Sequence, residues 1–178
     1  MDGESRTFEV NSEFVRAYYL IGRLELHLRY QIPITLSSYA QERGYREWHE
    51  VVPLNKYAQN SLNRAQKAVL IAKQEKSTAS TFLPFSFWRY LLSNRNYGEL
   101  WLPNLHVIFP ALENPKSRST FRQVDLHMNS ALRLRHNVAH YNLNCLETIA
   151  FSQQKVEWLL DSLGVTTNQN SNTPIQCK

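Results

Sequence analysis

The chain has 178 residues, of which 43% are hydrophobic, 12% aromatic and 20% charged, with 5 Gly and 7 Pro. That length suits one hydrophobic core, and those proportions exclude a disordered chain, a collagen-like repeat and a low-complexity polymer. The formal charge is +5 and the pI ≈ 9.3, a moderate excess that suits acidic partners such as nucleic acid and equally an ordinary basic protein. Cys145 and Cys177 are too few for a disulfide framework or a four-thiolate zinc site. The chain reads as a reduced, cytoplasmic protein. Its polar start has no apolar signal region, and no stretch approaches the ~18 apolar residues of a membrane span. With a mean hydropathy of −0.45, no membrane partner is expected.

The first helix is expected from Asn11 or Ser12, good N-caps with Glu13 behind them. Phe14, Tyr18, Ile21, Leu24 and Leu28 form its apolar stripe, Arg16, Arg23 and Glu25 lie opposite, and Pro33 ends the pattern. Residues 34–56 read as a compact loop or short helix around Tyr39, Tyr45 and Trp48. A second helix runs from about Leu54 to Lys76, with Leu62, Ala65, Val69 and Ala72 at helical spacing. Pro84 suits the first turn of another helix. Leu100, Trp101, Leu105, Ile108 and Phe109 suggest a short one ending at Pro110. Two more are expected over Thr120–Tyr141 and Leu146–Leu163, the last stopped by Gly164. The Thr-, Asn- and Gln-rich stretch 165–178 reads as a disordered tail. No long β alternation occurs, so the expectation is an all-α bundle, one domain over residues 1–164.

The chemistry gathers at the end of the long helix, where Arg133, Arg135, His136, Asn137 and His140 fall within three turns. His and Asn are weaker helix formers than the Glu, Lys and Gln of an ordinary exposed face, so their clustering is informative. At about 100° per residue, His136 and His140 share a face, with Arg133 and Asn137 beside them. Arg135 falls near the centre of the apolar arc made by Met128, Ala131, Leu132, Val138 and Ala139. An arginine there must snorkel, pair, or line a groove, since burying it unpaired is costly. A second subunit over the arc and a loosening of the helix near Asn137 both answer the problem, and the sequence leaves both open.

The run Arg135-His136-Asn137-Val138-Ala139-His140 resembles the R-x(4–6)-H motif of HEPN domains. Two upstream stretches are similar to segments of the Abi-like (abortive infection) HEPN proteins, in the family's order. These are Leu83-Pro-Phe-Ser-Phe-Trp-Arg-Tyr-Leu-Leu-Ser and Leu100-Trp-Leu-Pro-Asn-Leu-His-Val-Ile-Phe-Pro. The likeness covers roughly residues 82–142. Ser86 stands where Gly is usual, His136 where Asn is commoner, and Tyr141-Asn142 where His-Glu is often found.

The resemblance implies a dimerising α-helical bundle whose two motifs meet in a cleft. It also implies a metal-independent, cofactor-free endoribonuclease of defence or toxin–antitoxin systems. RNA, a second copy and a possible antitoxin or regulatory protein are the expected partners. The 2′-OH would attack the phosphorus and leave a 2′,3′-cyclic phosphate. His140 would exchange the proton, as a positioned imidazole can. Arg135 would bind the developing charge, and His136, Asn137 and Arg133 would position the RNA. A catalytically silent module that binds RNA or a protein is the alternative.

Plainer readings stand beside these. Arg135 suits a carboxylate pair joining two helices, and the His136/His140 spacing suits a metal pair that lacks a third ligand. His106 and His127 read as surface or packing residues. Phe85, Phe87, Trp88 and Trp101 read as core in preference to base-stacking platforms. Arg16, Arg23, Arg29, Arg64, Lys67 and Lys73 read as solvated faces as readily as phosphate tracks.

Overall fold

In the computed structural model the described residues are 3–72, 78–140 and 146–165, and every element among them is helical. Helix α1 (Gly3–Gln41) has 39 residues, about 58 Å at 1.5 Å per residue. Its buried stripe is Phe14, Ala17, Ile21, Leu24, Leu28, Ile32, Leu36 and Ala40, stepping by three or four. Tyr18, expected in that stripe, is 72% exposed, and Ala17 takes its place.

Pro33 does not end this helix, contrary to expectation. A proline inside a helix costs about 3 kcal/mol. Ile32 and Leu36 flank it fully buried, and each such side chain returns about 1.5–3 kcal/mol. Packing therefore outweighs the lost hydrogen bond. The real stop is Gly44, whose φ of +78° is in the left-handed region. Its N–H donates to the Gln41 carbonyl and that of Tyr45 to the Ala40 carbonyl, both at 3.0 Å. This pairing satisfies the last carbonyls of the helix. Gly164 ends the last helix in the same manner, with φ +74°, as the sequence led us to expect.

After the 3-10 turn Trp48–Val51 comes α2 (Lys56–Ala72), then α3 (Ala79–Phe82) and α4 (Phe85–Leu91). Asn55 caps α2, its Oδ1 accepting from the Ala58 N–H at 2.9 Å. A single π-helical turn, Tyr97–Trp101, leads into α5 (Leu102–Ile108). Helix α6 (Arg118–Ala139) starts from a Ser117 cap, and α7 (Leu146–Ser162) follows. The expected extension of α2 through residues 73–76, the position of Tyr141, and the tail from 166 onward lie outside the described residues.

Helices α1, α6 and α7 pack pairwise, and α4 lies against α6. Phe85, Phe87, Trp88 and Trp101 are each 0% exposed. They are core, and no base can reach them. The Trp101 indole N–H and the Asn96 amide both donate to the Leu91 carbonyl, which closes the end of α4 with side chains.

Arg89 ties α4 to α6: it donates from Nη2 to Asp125 at 3.0 Å and from Nε to Asn129 at 2.6 Å. The paired side chains are only 20% and 19% exposed. Asp125→Ala would leave Arg89 half-compensated in that site. The expected loss is about 2–3 kcal/mol, below the ~3–5 kcal/mol of a fully buried pair. It would read as a lower urea midpoint at unchanged slope.

Candidate functional site

The five motif residues occupy the last turns of α6, where the core and solvent faces separate cleanly. Met128, Ala131, Leu134 and Val138 are buried against α1 and α7, whereas Arg133, His136 and His140 are exposed. The His136 and His140 rings pack edge to face with centroids 4.4 Å apart. The i, i+4 spacing thus does bring the two imidazoles together. His140 is the C-cap, its backbone N–H donating to the His136 carbonyl at 3.1 Å.

Arg135 is not at the centre of the apolar arc. Leu132 is half-buried and Ala139 exposed, so the arc centres instead on Ala131, Leu134 and Val138, and Arg135 lies at its edge. Its side chain is 46% exposed and its Nε lies 3.5 Å from Glu25 Oε2 on α1. The arginine has therefore found a carboxylate partner across a helix pair, as the plainer reading had it. Its placement no longer calls for a second subunit. Nor does the helix loosen near Asn137: α6 is continuous to Ala139. Five residues apart, Arg135 and His140 project about 140° away from each other. Among the described residues no hydrogen bond joins them.

Glu25 also accepts from Arg29 Nη2 at 2.6 Å, and Arg29 donates in turn to the carbonyls of Thr81 and Leu83. Arg16 pairs with Glu157 on α7 at 2.6 Å. These two cations serve helix packing, and Lys73 lies outside the described residues. Sequence reading placed Glu25 on a solvated face, yet its side chain is 16% exposed. Only the α1–α6 packing reveals its role.

Two grooves flank Arg135. A smaller one of about 300 Å³ runs along α1 and α6 past Tyr18, Gly22, Glu25 and Val138. A larger one of about 610 Å³ is lined by Ser130, Arg133, Arg135, His136 and Asn137 of α6 with Phe151, Ser152 and Lys155 of α7. Four of the five predicted residues thus face one open groove. Lys155 and Phe151, missed in the sequence, complete it from the neighbouring helix. Their i, i+4 spacing on α7 was the available signal.

Near the floor of this helix pair His127 packs edge-on to Trp158, ring centroids 4.6 Å apart. Its Nδ1 is buried without a hydrogen-bond partner. Burial, and secondarily the Lys155 ammonium, hold its pKa below the usual histidine value. Because the unfolded chain binds the proton more readily, the stability His127 contributes is complete above about pH 6.5 and is lost as pH falls further. Thermal midpoints should therefore drop between about pH 7.5 and about pH 5.5, and less steeply in His127→Phe. Equal slopes would remove His127 as the cause.

Among the described residues no three His, Cys, Asp or Glu are grouped to hold a metal, and no helix is long and apolar enough to cross a membrane. Compared with protein-family models, with curated proteins and with solved structures, the chain matches none.

Proposed function

We propose that the chain is a metal-independent endoribonuclease of the HEPN abortive-infection type, acting on RNA as a homodimer. The observation that carries the reading is the α6 groove, where Arg133, Arg135, His136, Asn137 and Lys155 line one open surface and the His140 ring packs edge to face with that of His136. Such a surface suits a phosphodiester, since guanidinium and ammonium groups neutralise phosphate while imidazole moves protons.

In the proposed reaction an imidazole takes the 2′-OH proton as the 2′-oxygen bonds to phosphorus. The bond from phosphorus to the 5′-oxygen breaks, and a second imidazole protonates that oxygen. The products are a 2′,3′-cyclic phosphate and a 5′-OH. Arg135 stabilises the charge that grows on the phosphoryl oxygens. Its divergence from His140 on one helix is answered by two copies, each supplying what the other turns away. The class it resembles also suggests an antitoxin or regulatory partner.

The Arg135–Glu25 pair favours a second reading, a silent module that binds RNA or a protein without cleaving. One assay separates the two. Wild type, Arg135→Ala and His140→Ala are incubated with mixed RNAs, with and without EDTA, and fragment ends are checked for cyclic phosphate. Cleavage that survives EDTA and vanishes in both variants supports the nuclease. Folded proteins that are all inactive favour the binding module, and loss of cleavage in EDTA overturns the metal-free chemistry.

A further inference from the structure

Helix α7 supplies the larger groove with Phe151, Ser152 and Lys155, none of which any motif includes. Phe151 is 60% exposed on the groove wall, an uncommon place for an aromatic ring whose burial would be worth about 1.5–3 kcal/mol. One helical turn on, Lys155 holds its Nζ 4.1 Å from the centroid of that ring and donates to Ser130 Oγ at 3.2 Å. Ser130 in turn donates to the Leu126 carbonyl at 3.2 Å. The ammonium is therefore fixed at the junction of α6 and α7, with the ring beside it otherwise open to solvent. Across the groove stands Arg133, exposed and without an ion pair among the described residues. Asn137 offers an amide able to donate and accept on the same wall.

An aromatic face flanked by two cations and an amide, within a groove of about 610 Å³, matches the chemistry of an unpaired nucleotide. The base has a π face to stack, the phosphate one negative charge shared by two oxygens, and the base edge both donors and acceptors. We infer that the α6–α7 groove holds one unpaired nucleotide of single-stranded RNA. Its base stacks on Phe151, its phosphate lies between Lys155 and Arg133, and its edge meets Asn137. The inference rests on the RNA reading of the same site and extends it to a preference for single strands. In a duplex both base faces are already stacked, and neither is free for Phe151.

The test is a binding titration on the full chain with a fluorescent 2′-O-methyl oligoribonucleotide, which cannot undergo 2′-OH attack. Single-stranded and duplex forms are compared, and cleavage of ordinary RNA is followed in parallel. Phe151→Ala is expected to weaken single-strand binding about tenfold, the worth of one stacked base. Phe151→Tyr, which keeps the ring, should bind as wild type does. Lys155→Gln should flatten the salt dependence by about one phosphate contact. Equal affinity of wild type and Phe151→Ala, equal affinity for duplex, or no binding by wild type would each overturn the inference. Ring-dependent binding without cleavage would leave the groove standing and remove the nuclease.

Discussion

Replacing His140 with alanine is expected to slow RNA cleavage by about 10²–10⁴-fold, the usual worth of a positioned general acid or base. The size of the effect distinguishes chemistry from folding. His140 is exposed, and its ring partner is His136, so truncation should change stability by no more than about 0.5 kcal/mol. Arg135→Ala is expected to cost about 10²–10³-fold through lost charge stabilisation. It leaves no orphaned carboxylate, because Glu25 keeps Arg29 at 2.6 Å. Arg135→Lys should recover only part of the rate, as an ammonium lacks the planar fork of a guanidinium. Single-turnover cleavage at saturating RNA reads the rates, and thermal melts confirm that each variant is folded. A His140→Ala protein that cleaves at the wild-type rate would take His140 out of the mechanism.

Trp101→Ala should have the largest effect on stability, about 3–5 kcal/mol for emptying a fully buried aromatic site. The indole is 0% exposed, and its N–H donates to the Leu91 carbonyl. Losing that hydrogen bond adds little, because Asn96 Nδ2 still donates to the same oxygen at 3.0 Å. The cavity term therefore dominates. Against a typical total of about 5–15 kcal/mol, the loss is a large share of the whole. Trp101→Phe, which keeps most of the volume, should cost about 1–2 kcal/mol. Urea unfolding followed by helical circular dichroism measures both, and equal costs would show that the hydrogen bond outweighs the packing.

Helix type was legible wherever an apolar stripe ran for several turns, as in α6 and α7, because periodicity is a local property. The aromatic segments around Trp88 and Trp101 also read correctly as core. The end of α1 did not. Pro33 carries the stronger local signal, but burial of Ile32 and Leu36 is a tertiary gain that no local rule contains, and Gly44 makes the stop. The site divides in the same way. Spacing along one helix brought out His136 with His140 and placed Arg133 and Asn137 beside them. Glu25 lies 110 positions from Arg135, and Lys155 reaches the groove from a separate helix. The i, i+4 spacing of Phe151 and Lys155 marks them as neighbours on α7, but contacts between helices leave no periodic trace, so only the folded chain brings Lys155 and Glu25 to the α6 residues.

Arg16 of α1 meets Glu157 of α7 across a sequence separation of 141, and the buried stripe of α1 packs against α6 and α7. During synthesis the Trp48–Val51 turn, α3, α4 and α5 can cover part of that stripe early, but the part that meets α6 and α7 stays open until those two helices emerge. At about 5–20 residues per second, Arg16 waits roughly 7–28 s for its partner. Helix–coil relaxation takes about a microsecond or less, so α1 samples its helix many times over while the face that α6 and α7 will cover is still bare. Nascent chains of this protein thus present a long amphipathic helix to the ribosome surface and to chaperones before they can fold, and a slower or faster translation of the middle of the chain would change that interval directly.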